Sequence, residues 1–274
     1  MFPAMQGPFM NRQTFRQRVK ELFAPVLVAL AALGSKLGLL LPLLKMGGSM
    51  IIAFGAYAYL FGWWFAAGFI GLIFIHEMGH VAAARAVGLK VSLPFFLPFF
   101  GAVILMREVP RNAWIEAIVG IGGPIFGSIG AAGAAACYFL VPGHHQVFLA
   151  MGYFGCFINL FNLIPMIPLD GGRIASAISP WLWVIGLCIL IAFLVSRALS
   201  GNILAIAVAV FIGFIVYRNL YRIVALFRGE GAKARYFECT RVQRWTMGIL
   251  YFGLAGSLYL GMGFIKTLMP PGSF

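Results

Sequence analysis

The chain has 274 residues, of which 62% are hydrophobic and only 10% charged, against about 25% charged in an ordinary soluble domain. Too little polar surface is available for a water-soluble enzyme, and the composition predicts an all-α polytopic membrane protein. The net charge of +13 lies mostly between apolar segments, where positive-inside placement and anionic headgroups account for it, so a lipid bilayer and no nucleic acid is expected as partner.

Residues 1–21 hold Arg12, Arg16, Arg18 and Lys20 but no short apolar core ending in a small-residue cleavage site, so no cleavable signal peptide is expected. Residues 22–46 are apolar yet interrupted by Pro25, Gly34-Ser35-Lys36 and Pro42. With the basic N-terminus they form a first region, 1–46, carrying an interfacial or re-entrant helical segment. Spans follow at 47–63, 66–86, 112–141, 148–168, 181–199, 202–218 and 246–265, which gives about six or seven transmembrane helices of roughly the ~20 residues a bilayer needs. Trp63 and Trp64 suit an interfacial aromatic belt.

Between the second and third spans, residues 91–106 are apolar, but Pro94, Pro98 and Gly101 exclude a continuous helix, and Val103-Ile104-Leu105 suits a short strand. Non-helical backbone at membrane depth requires protein or a water-filled cavity around it. A short re-entrant β-hairpin or loop lining a cavity near the active site is therefore expected. Residues 47–175 then form a membrane core, and 176–274 a set of C-terminal helices with a basic loop at 218–244.

Lys and Arg fall unevenly about these spans. The N-terminal cluster, Arg85 to Arg111, Arg173 and the loop 218–244 share one side, and Arg197 and Lys266 take the other. This bias puts the basic side in the cytoplasm. The lean size and missing targeting peptide suggest a bacterial inner membrane. Cys137, Cys156, Cys188 and Cys239 show no CxxC spacing and read as small apolar residues.

Within the second span stands His76-Glu77-Met78-Gly79-His80, an HExxH pattern. On a helix, residues i and i+4 share a face, so both histidines can reach one zinc ion. Glu77 is rotated by about 100°, beside them rather than between them, where it can serve as general base towards a metal-activated water. Ionisable groups in a bilayer span cost several kcal/mol unless compensated, so their presence there points to function.

Two histidines leave a catalytic zinc one protein ligand short. Asp170 is the only aspartate in the chain and follows Pro165 and Pro168 at the end of an apolar span. It is expected to ligate the metal in preference to capping the next helix. His80 lies five residues before Arg85 and Asp170 three before Arg173, so both sit near the same membrane face. Asn159 and Asn162 share a helix face. Hydrogen-bonded helix glue is expected of Asn159, and either glue or support of an oxyanion or substrate backbone of Asn162. Gly122-Gly123-Pro124 and Gly127 suit close helix packing. His144 and His145 fall in a loop on the far side, and Glu108 and Glu116 are expected to pair with Arg107 or Arg111.

Together, HEMGH at 76–80, GGPIFG at 122–127 and NLIPMIPLDGG at 162–172 resemble the site-2 protease family of intramembrane zinc metalloproteases, peptidase family M50. The resemblance covers roughly residues 47–175. It implies His76, His80 and Asp170 as ligands of one zinc ion, Glu77 as catalytic glutamate, and Asn162 as the motif asparagine. It also implies a transmembrane protein as substrate, cut within or near its membrane segment in regulated intramembrane proteolysis. Many relatives carry a PDZ or CBS domain; neither is expected in this chain. A non-proteolytic membrane metalloprotein, or an ion or proton transporter using the intramembrane His and Asp, is the alternative.

Overall fold

The computed structural model describes residues 41–97, 101–106, 108–143, 145–198, 210, 213–217, 220, 224 and 235–270. The chain divides at Gly47–Gly48 into two compact units, and the site lies in the second, Gly48–Phe274; of the first, the described residues 41–47 are helical.

Helices α1 (Leu41–Phe61) and α2 (Trp63–Ala86) meet at Gly62. Its φ of 84° is a left-handed conformation that glycine adopts without steric cost. Helix α2 closes in a Schellman arrangement: Gly88 takes φ 78°, Leu89 N–H reaches Ala84 O at 2.9 Å and Gly88 N–H reaches Arg85 O at 3.0 Å. Leu89 and Ala84 are then buried together against Val119.

The chain next makes an antiparallel hairpin, β1 (Phe95–Leu97) and β2 (Gly101–Val103), in which Phe96 faces Ala102. An isolated bridge between Val91 and Met106 extends the pairing. Helix α3 (Ala113–Leu140) starts where the Asn112 side chain accepts from Ile115 N–H at 2.9 Å. After α4 (Gln146–Asn162) the backbone passes through turns, and α5 (Asp170–Ile178) begins. Helix α6 (Leu182–Ala198), a 3-10 turn at Arg235–Phe237 and α7 (Arg241–Leu268) follow. A capping box between Thr240 and Gln243 opens α7.

Among the described residues, α1, α2, α3 and α7 are long and apolar enough to cross a membrane, while α4 and α6 are shorter apolar helices. Large side chains such as Tyr59, Trp64, Ile249 and Leu260 project outward, as a lipid-facing surface requires. Helix α3 is the hub, packing against α2, α4, α5 and α7. Its contact with α2 is backbone on backbone: a Cβ on Gly79 would lie 2.3 Å from Gly122 O, and one on Gly122 would lie 2.6 Å from Gly79 O. Membrane helices gain their association from such close packing, since lipid is as apolar as leucine.

These elements match the expected all-α architecture with a small hairpin, with three differences of detail. The expected span 148–168 stops at Asn162, because Pro165 and Pro168 cannot continue a helix. The strand is Gly101–Val103, displaced from the expected 103–105 by the pairing with Phe95–Leu97. Residues 41–46, expected within a broken segment, belong to α1. Most of the expected 22–46 segment, the 202–218 span and the basic loop 218–244 lies outside the described residues.

Candidate metal centre

His76 and His80 lie one turn apart on the inward face of α2, where the i, i+4 spacing stacks their rings edge to face at 4.9 Å. Asp170 is the first residue of α5 and makes no cap bond to its own helix. Its carboxylate points instead at the imidazoles: Oδ2 lies 3.1 Å from His76 Nε2 and 3.1 Å from His80 Nε2, and the two Nε2 atoms are 3.1 Å apart. All three side chains are buried.

The partners of the other ring nitrogens settle what these atoms can do. His80 Nδ1 is 2.7 Å from Val119 O, a carbonyl that only accepts, so Nδ1 carries the proton. His76 Nδ1 is 2.8 Å from Asn159 Oδ1, and Asn159 Nδ2 donates to Gly155 O at 2.7 Å, which fixes the amide with its oxygen towards the histidine. With Nδ1 of each ring carrying a proton, either imidazole in its neutral form presents its lone pair at Nε2. Two lone pairs and a carboxylate oxygen converging at 3.1 Å repel one another unless a cation lies among them. The edge of a tetrahedral zinc site with nitrogen and oxygen ligands is about 3.3 Å, so donor set and spacing fit one such ion. These are the residues that can hold a metal among those described.

Glycines make the room. A Cβ on Gly123 would fall 2.2 Å from His80 Nε2, and one on Gly127 2.1 Å from Asn159 Oδ1. One on Gly171 would meet Leu163 O at 2.1 Å, so the turn before α5 can fold tightly onto it. Gly123 and Gly127 thus make room for the His80 ring and the Asn159 amide, while Gly122, Gly171 and Gly172 let backbone approach backbone.

The three residues face a cavity of about 480 Å³, whose lining includes Glu77, Asn162 and Arg173. Residues Gly101 to Ile104 form another wall of the same cavity. The outer edge of β1 is tied elsewhere, because Phe96 N–H donates to Ser49 Oγ at 3.0 Å. Phe96 therefore occupies a non-hydrogen-bonded position opposite Ala102, and the N–H and C=O of Ala102 point off the edge of β2 that pairs with no other strand among the described residues.

Of the side chains singled out from sequence, His76, Glu77, His80, Asn162 and Asp170 meet at this cavity. Asn159 does more than join helices, since it selects the tautomer of His76; its placement three residues before Asn162 on the same face was the available signal. His145 is exposed and remote from the site, and His144 lies outside the described residues. Glu116 accepts from Tyr236 OH at 2.5 Å, and Glu108 faces Lys90 at 3.9 Å, so neither makes the expected arginine pair with Arg111; Arg107 lies outside the described residues.

A model of peptidase family M50 matches residues 64–147, the stretch carrying HEMGH and the glycine-rich segment of α3. Over that stretch the chain resembles peptidase family M50. A zinc metalloprotease of Methanocaldococcus jannaschii is 30% identical over 156 residues, covering 52% of this chain and 45% of the relative. Stage IV sporulation protein FB of Bacillus subtilis is 34% identical over 104 residues, covering 38% and 36%. The chain thus spans less than half the length of these relatives. A solved site-2 protease of Methanocaldococcus jannaschii is similar at 24% identity with a TM-score of 0.46, over 64% of this chain and 87% of that one.

Proposed function

We propose that this chain is an intramembrane zinc metalloprotease of the M50 type, which hydrolyses peptide bonds within or near transmembrane segments of membrane proteins. The observation that carries the proposal is the convergence of His76, His80 and Asp170, with both histidine tautomers set for a cation. A bound zinc ion would supply Lewis acidity, polarising the scissile carbonyl and acidifying a water.

The protein's own groups do the rest. Glu77 follows His76 directly and lines the same cavity, so its carboxylate takes the proton of the attacking water and passes it to the leaving amine. Asn162 is placed to hold a substrate oxygen through its amide. A transmembrane helix must open before its backbone can react, because its carbonyls are engaged. The free edge of β2 offers Ala102 N–H and C=O to an opened segment, which would pair with it as an added strand. The distribution of Lys and Arg supports a site that opens towards the cytoplasm.

The test is zinc content and cleavage of a tagged model transmembrane substrate by detergent-solubilised protein. Glu77→Gln should keep zinc and lose cleavage, and Asp170→Asn should lose zinc. Ala102→Pro removes an N–H that the hairpin itself does not use, so it should keep zinc and cut cleavage by about tenfold. A wild type without zinc, or a Glu77→Gln variant that still cleaves, refutes the protease and favours a scaffold or ion carrier.

A further inference from the structure

Helix α5 has nine residues, too few to hold a helix by itself in any solvent that competes for its backbone. Yet the Asp170 carboxylate at its start must be held to a few tenths of an ångström. The side chains that fix it come from the C-terminal part of the chain, outside residues 64–147 where the family model matches.

Arg244 stands in the opening turn of α7, where the helix macrodipole disfavours a cation. No carboxylate among the described residues neutralises it. Its guanidinium serves three carbonyls instead: Nη1 donates to Ile178 O at 2.7 Å, Nη2 to Phe237 O at 3.1 Å and Nε to Cys239 O at 3.2 Å. Ile178 is the last residue of α5, so its carbonyl is one of those a helix leaves unsatisfied, at the end where the dipole favours positive charge. The charge is badly placed for α7 and well placed for α5.

Two turns further along α7, Tyr251 projects from the same side and donates its hydroxyl to Leu163 O. That carbonyl presses on Gly171, where a Cβ would come within 2.1 Å of it. One helix thus grips both ends of residues 163–178, with Asp170 between them. A third hold comes from α6, where Trp183 Nε1–H donates to Gly172 O at 2.9 Å.

We propose that Arg244 is a positioning residue that, with Tyr251, makes α7 a brace for the Asp170 segment, so that metal retention depends on the C-terminal helix. The proposal rests on the metal site assigned above. Arg244 touches neither the metal ligands nor the cavity, and it acts by capping α5.

The experiment uses full-length protein in detergent, with two readouts. One is the rate at which zinc is lost to excess EDTA, and the other is amide hydrogen exchange in peptides covering 163–178 and, for comparison, 113–140. Arg244→Gln should lose zinc about tenfold faster, as expected for loss of the one charge-assisted bond that reaches α5, to Ile178 O, and Arg244→Lys should restore part of the retention. Exchange should rise in 163–178 and stay unchanged in 113–140. Tyr251→Phe removes a single hydroxyl from the other end and should act in the same direction, which covers an Arg244→Gln protein that fails to fold. Tyr236→Phe is the control: it loosens the neighbouring turn from Glu116 on α3 but leaves α5 held, and should retain zinc like wild type. Equal zinc loss and exchange in wild type, Arg244→Gln and Tyr251→Phe would overturn the brace, as would a rise in exchange spread evenly over 113–140. If the wild type holds no zinc, the protease assignment fails, and exchange in 163–178 still decides whether the segment is braced.

Discussion

Replacing Asn159 with leucine keeps the number and branching of side-chain heavy atoms and removes the acceptor that holds the His76 Nδ1 proton at 2.8 Å. A buried N–H left without a partner costs about 1–3 kcal/mol. The neutral ring has one escape, which is to move the proton to Nε2, where Asp170 Oδ2 lies 3.1 Å away and accepts it. That escape exists only when Nε2 is not bound to a cation, so the whole cost falls on the metal-loaded protein. The second partner of the amide, Gly155 O, lies four residues back on the same helix, where the backbone ladder also serves it, so little else is lost. Zinc affinity should fall by about 10–100-fold, the usual effect of removing a hydrogen-bond partner behind a ligand. At about 1.4 kcal/mol per decade this amounts to about 1.4–2.8 kcal/mol, in agreement with the cost of the orphaned N–H. Asn159→Asp preserves an acceptor and should bind zinc far better than the leucine variant. The assay is competition against a zinc chelator of known affinity in detergent, with thermal melting in EDTA to show that each variant is folded. A folded Asn159→Leu protein binding zinc within about twofold of wild type would refute the tautomer argument.

Two further outcomes follow from the geometry. Gly123→Ala puts a methyl group 2.2 Å from His80 Nε2, so the imidazole must move and zinc binding should be lost; Gly133→Ala, with nothing within 4 Å, should bind zinc normally and melt slightly higher, since alanine favours a helix by about 1 kcal/mol. Burial, and next the hydrogen bond to Glu116, push the Tyr236 phenol above its ordinary range. A group whose proton is held more tightly in the folded state contributes stability that is complete below its unfolded pKa of about 10 and declines as pH rises beyond it. Wild type should therefore lose melting temperature between about pH 10 and 12 more steeply than Tyr236→Phe, and equal slopes would contradict the assignment.

The grouping of His76, His80 and Asp170 was legible in the sequence because a metal-binding pattern needs rare residues at fixed places. His76 and His80 must be one turn apart on a helix, and an aspartate found once in the chain leaves little choice for the third ligand. The break before Asp170 was equally plain, from Pro165 and Pro168. Asn159 was harder, since an amide that glues two helices and an amide that orients a ligand look the same until the distance to His76 Nδ1 is known. The hairpin register escaped for a similar reason: Gly101 takes a strand position by pairing with Leu97, against its own low preference. Nor does any local pattern mark Arg244, whose partner Ile178 lies 66 residues away.

Burying two imidazoles, an amide and a carboxylate in an apolar protein is tolerable only if every polar atom finds a partner. Among the described residues no buried side-chain nitrogen or oxygen lacks one, and at the centre this is achieved by backbone and amide groups from three helices. Val119 O on α3 serves His80, Asn159 on α4 serves His76, and α5 brings Asp170 to both. The glycines on α3 are what allow these helices to come so close. It follows that the site is a property of the helix contacts as much as of the HExxH motif. A chain carrying HEMGH and LDGG but with larger residues at 123 and 127 should fold as a helical membrane protein and bind no metal.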